Sequence, residues 1–150
     1  MSKINWFKDY LKEIQDDCPE INKNKLVVDD SQLTNYLGSH KRADNIMLIG
    51  VLPEFGANAT NPDNFLLRGS TLLMVLEKTN YSNENYDSYF QIFENTYIVA
   101  EKIVKKLLSD ATRGCTYLRY LQPQSIQVVP VWNKSECEGW SIQFNFDATL

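Results

Sequence analysis

The sequence predicts an α+β two-layer sandwich, with an antiparallel sheet of about four strands packed on one long helix, plus an N-terminal helix. Three observations lead there. The segment Trp140 to Phe146 alternates apolar and polar residues at the two-residue period of a half-buried strand. The segment Ser82 to Leu108 carries apolar residues at helical spacing. Strand candidates pair off on either side of that helix, with no series of βαβ units such as a doubly wound nucleotide fold needs.

The elements follow in order. Ile4, Phe7, Leu11 and Ile14 recur at three- and four-residue steps, widened by Trp6 and Tyr10, and predict a helix over 3–17. Ser2 supplies an N-cap, and Pro19 ends the helix because the residue before proline is driven out of the α region. Leu26-Val27-Val28 predicts a short strand. Asp29-Asp30-Ser31 then offers caps for a short helix carrying Leu33, Tyr36 and Leu37, closed by Gly38. A capped helix explains the Asp29-Asp30 pair more simply than a metal does.

Ile46 to Leu52 predicts a strand ended by Pro53. Glu54 to Asp63 reads as a loop of about ten residues, long for a hairpin connection. A second strand spans Phe65 to Lys78, with Gly69 as a bulge or bend. Ser82 is the expected cap of the long helix. Tyr86, Tyr89, Phe90, Phe93, Tyr97, Ala100, Val104 and Leu107 form its expected core face. Lys102, Lys105 and Lys106 read as a solvated end suited to the helix dipole, and Gly114 as a left-handed stop. Tyr117 to Leu121 starts a further strand. Ile126 to Trp132 gives another, at an edge or beside a bulge because Pro130 cannot donate to a ladder. Asn133 to Gly139 reads as a polar turn before the closing strand.

Composition narrows function by exclusion. The chain has 150 residues, 43% hydrophobic and 23% charged, which suits a single domain over 1–150 with a packed core. Its net charge of −4 argues against a nucleic-acid binder. No apolar run reaches membrane-spanning length, and the first residues lack the apolar core of a signal peptide. Cys18, Cys115 and Cys137 are an odd set without metal spacing and read as free thiols, Cys115 as a small buried residue. His40, the single histidine, falls in Gly38-Ser39-His40-Lys41-Arg42, which reads as an exposed polar loop. Neither glycine-rich phosphate motif occurs. No cofactor is expected.

The order of elements and the closing Gly139-Trp140-Ser141-Ile142-Gln143-Phe144-Asn145-Phe146 resemble small phage and prophage tail-completion proteins, tail terminators and neck proteins, including those of Bacteroidetes prophages. The resemblance implies a non-enzymatic structural protein. Its copies form a ring, commonly a hexamer, joining a tail tube to its connector. It implies cytoplasmic assembly and a place in the virion or a tail-like particle. Phe55, Asn58 and Asn61 in the 54–63 loop and Pro130 at the open sheet edge are the candidate subunit contacts, together with the exposed side of the first helix. Two other readings stay open. One is a small protein- or ligand-binding module with a pocket beside Tyr86, Tyr89 or Trp132. The other is a small enzyme, which requires His40 to meet an acidic side chain or Cys137 within hydrogen-bond reach.

Overall fold

A computed structural model of the chain describes residues 3–63, 66–114 and 118–148. Ser2, Phe65, Cys115 and Tyr117, each given a role above, lie outside the described residues. Helix α1 (Lys3–Asp17) is followed by β1 (Lys23–Val27), α2 (Asp30–Ser39), β2 (Met47–Val51), β3 (Glu54–Ala57) and β4 (Leu67–Lys78). Helix α3 (Tyr86–Thr112) leads to the hairpin of β5 (Gln127–Lys134) and β6 (Cys137–Ala148).

The six strands make one mixed sheet in the order β1-β2-β4-β6-β5, with β3 paired to the first residues of β4. This corrects the expected four-stranded antiparallel sandwich. Strand β1 joins β2 in parallel, from Lys23 opposite Met47 to Val27 opposite Val51. Parallel neighbours need a crossover, and α2 provides it. Helix α2 lies against the face of the sheet opposite α1 and α3. Its Leu33 and Leu37 pack with Val27, Met47, Ile49, Met74, Leu76 and Cys137. The molecule is therefore three layers deep at this end rather than two. The expected Leu26-Val27-Val28 strand is the end of β1, with Val28 outside it, and Lys-Asn-Lys-Leu-Val carries no signal of its parallel partner.

The other face carries the larger core. Phe7, Leu11 and Ile14 of α1, and Val99, Ala100, Ile103 and Leu107 of α3, close over Leu48, Leu73, Val75, Ile142, Phe144 and Phe146. The caps follow sequence rules. Asp29 accepts from the backbone N–H of Gln32 to start α2. Asn85 and Ser88 form a reciprocal capping box at α3, so the helix begins three residues later than a Ser82 cap implies. Gly114, with φ +77°, follows the end of α3 as expected.

Two further corrections concern connections. Residues 54–57 are a strand rather than loop, with Phe55 opposite Gly69 and Glu54 opposite Ser70. Gly69 itself lies inside β4 without a bulge, opposite Phe146 on its other side. The 133–139 segment is mostly strand. The hairpin turns on Ser135 and Glu136, both left-handed at φ 51° and 61°, the backbone twist a two-residue hairpin requires. Residues 118–120 form a turn, with one isolated bridge from Leu121 to Phe146, rather than a strand.

Lys106 also departs from expectation. Only 13% of its side chain is exposed, and it binds Glu13, Asp17 and Asp110, each at 3.0 Å. Burial lowers its proton affinity, but hydrogen bonds to the three carboxylates outweigh this and hold it above the ordinary lysine value. Together with the hydrogen bond from Tyr10 to Asp110 at 2.7 Å, it clamps α1 antiparallel onto α3.

Candidate functional site

The exposed surface of α3 departs most from the sequence reading. Its buried arc runs through Ile92, Thr96, Val99, Ala100, Ile103 and Leu107. The aromatic stripe expected in the core is rotated toward solvent. Tyr86 is 74% exposed, Phe90 52%, Tyr97 45% and Ile98 54%. Periodicity reports that a stripe exists. Which side meets the sheet depends on the fit of aliphatic against aromatic rings, which periodicity does not carry.

Other rings complete this face. Trp132 on β5, 57% exposed, packs edge-on against Tyr89 at 4.8 Å and is stacked on Phe93 at 6.3 Å. Trp140 on β6 meets Tyr97 edge-on at 5.3 Å, and its Nε1–H donates to the Phe93 carbonyl at 2.9 Å. Tyr86 and Phe90 pair at 4.7 Å. Between Phe90, Phe93, Glu94, Tyr97, Ile98 and Trp140 lies an open groove of about 440 Å³, with Glu94 as its one charged lining residue.

Carboxylates lie beneath the start of α3. Glu77 and Glu138 are directly opposite on β4 and β6. Glu138 is fully buried and accepts hydrogen bonds from Thr79, at 3.1 Å, and Tyr81. Burial, then repulsion from Glu84, raises the proton affinity of Glu77, one of whose oxygens is buried without a hydrogen-bond partner. Burial also raises that of Glu138, against hydrogen bonds that lower it. Tyr81, held up by burial and by its bond to Glu138, packs against Tyr89 and Trp132 and so ties this acidic pair to the aromatic face.

A second groove, of about 570 Å³, opens on the opposite face of the sheet between α2 and β5. Leu33, Val51, Leu72, Met74 and Val131 floor it, and an ion pair between Asp30 and Lys134 stands at its rim.

The candidate contact residues do not form one site. Phe55 is half-exposed on β3, its ring edge-on to Phe146 at 6.3 Å. Asn58 donates to Asp147 at 3.2 Å, and Asn61 accepts from the Asp63 backbone in a local turn. Pro130 sits across the sheet on β5, the edge strand, beside a break in register after Val131. Proline and a bulge are two devices that discourage a strand from adding to an edge. At the other edge, β1 presents exposed Lys23 and Lys25, which act the same way.

His40 is 5% exposed, not in an open loop. It caps the C-terminus of α2, and its Nε2–H donates to Asn45 Oδ1 at 2.9 Å while Nδ1 is buried without a partner. Burial holds its pKa below the usual value. Its partner is an amide rather than the acid or thiol an enzymatic reading requires. Cys18 and Cys137 are buried free thiols. Among the described residues, no group of three or more His, Cys, Asp or Glu side chains is placed to hold a metal ion. No described helix is long and apolar enough to cross a membrane. The sequence matches no protein-family model and no curated protein.

Proposed function

We propose that this chain is a non-enzymatic assembly protein whose copies associate through the aromatic face of α3 and Trp132, as a phage or prophage tail terminator or neck ring does. The observation that carries this reading is the exposure of Tyr86, Phe90, Tyr97, Ile98 and Trp132, which ring contacts and the shared groove link through Phe93. At about 200 Å² for a whole aromatic side chain, they offer on the order of 500 Å² of apolar area. Patches beyond a few hundred Å² mark interaction surfaces on soluble chains, and a stable interface takes about 800 Å² from each partner. The guarded edges β1 and β5 support contact through side chains rather than through an extended sheet. In the assembled state the protein joins a tail tube to its connector, first in the cytoplasm and then in the particle.

Light scattering across a concentration series tests this. The expected result is a defined oligomer that falls to monomer in a Phe90→Ser, Tyr97→Ser double variant with unchanged circular dichroism. A wild-type monomer at every concentration overturns it. The α2–β5 groove favours a second reading, a ligand-binding module, because its volume and apolar floor fit the range of small-molecule sites. A monomer whose melting temperature rises with one member of a panel of apolar ligands selects that reading instead.

A further inference from the structure

We infer that the occupant of the α3 aromatic face is helix α1 of a second copy, seated through its Ile4–Lys8–Lys12 ridge. This rests on the assembly reading above and names the surface that completes it. Within one chain, α1 meets α3 through Tyr10, Glu13 and Asp17 on one flank and Lys106 and Asp110 on the other. Ile4, Lys8 and Lys12 follow at four-residue steps on the flank of α1 turned away from α3. Phe90, Glu94 and Tyr97 occupy the flank of α3 turned away from α1. The two surfaces are therefore opposite sides of one helical layer, and joining them repeats the layer from copy to copy. A contact between two different patches is head-to-tail, the kind that generates rings when it closes.

Charge and shape match. Ile4 is 52% exposed, and Lys8 and Lys12 are exposed without an ion pair among the described residues. Across the contact, Glu94 at the groove and Asp87 one heptad earlier are also exposed without an ion pair. Packed antiparallel, as α1 and α3 are within the chain, matching four-residue steps bring Ile4 to Ile98 when Lys8 reaches Glu94. Lys12 then falls over Phe90, next to Asp87. An apolar residue covers apolar groove, and each lysine covers an acid or a ring face.

Charge reversal tests the occupant. Lys8→Glu and Glu94→Lys are surface changes in helices, and circular dichroism checks that each variant folds. Each variant alone is expected to associate at least tenfold more weakly than wild type, as measured by light scattering. An equimolar mixture of the two is expected to regain wild-type association, since every contact between unlike copies again pairs Lys with Glu. Two variants that each assemble like wild type, or a mixture that stays apart, overturn the inference. If Phe90→Ser, Tyr97→Ser disperses the oligomer while Lys8→Glu is silent, the aromatic face keeps its role and α1 is not its occupant. A wild-type chain that never associates overturns both.

Discussion

A side-chain carbon built on Gly69 stands 2.5 Å from the tip of the Phe146 ring. The ring lies flat across the glycine from the neighbouring strand, with Phe55 edge-on beyond it at 6.3 Å. The contact is backbone against a ring that is itself packed among Trp6 and Phe144, so neither side yields cheaply. Gly69→Ala is expected to destabilise the fold by about 2 kcal/mol, as overpacking does. Urea denaturation followed by tryptophan fluorescence measures it, and an unchanged midpoint refutes it.

Lys106 predicts a loss of similar size from a different cause. Lys106→Met leaves Asp110 half-buried and facing Glu13 and Asp17 without their shared cation. Removing one partner of a buried ion group costs about 3–5 kcal/mol, and the exposure of Glu13 and Asp17 reduces this to roughly 2 kcal/mol. Denaturant unfolding gives the number. Tyr10→Phe should cost less, because it removes one hydrogen bond and no charge.

The Glu77–Glu138 pair predicts a pH dependence of definite sign. Both carboxyls bind protons more tightly folded than unfolded. Their contribution is whole below the ordinary glutamate pKa and is lost as pH rises through the raised values. Glu77→Gln is expected to flatten the decline in melting temperature as pH rises above the ordinary glutamate value. A variant with the wild-type slope assigns that decline elsewhere.

His40 has the opposite sign. Burial holds it neutral, so its folded pKa lies below its unfolded one, and stability is lost as pH falls through the acid side of 6.5. As the single histidine it gives one titrating imidazole in a proton spectrum. The expected midpoint lies below 6.5, and a midpoint above it contradicts the buried placement.

The thiols predict slow chemistry. Burial pushes Cys137 up to about 12 and raises Cys18. In a Cys115→Ser background, alkylation of both at pH 8 should proceed no faster than unfolding. Rapid modification of the native protein would show that one of them is accessible.

How much was legible in the sequence depended on the range of the interaction. The α1 boundaries, the Asp29 cap and the alternation of β6 are local, and the structure has them. Strand β3 reads as loop in the sequence because Glu-Phe-Gly-Ala carries no pattern of its own and gains its identity only opposite β4. The parallel pairing of β1 depends on Met47 and Val51, more than twenty residues downstream of their partners. The candidate surface was hidden in another way. Tyr86, Phe90 and Tyr97 were visible as a stripe, but burial of Ile92, Val99 and Ile103 decides which side of the helix faces out. Their excess of rings over aliphatic residues was the available signal, since aromatics are enriched at interfaces.

Strand β4 has one more consequence, for the timing of folding. It pairs with β2 and β3 upstream, and with β6 along its whole length, from Leu67 opposite Ala148 to Lys78 opposite Cys137. The upstream pairs can form while the chain is still being synthesised. The β6 pair cannot, because every residue of α3 must emerge first. Until then, the central strand of the sheet has a bare side, and closing so long a loop is slow. A nascent chain stalled after α3 should therefore be protease-sensitive at β4 and chaperone-dependent, and should become compact only once β6 has left the ribosome.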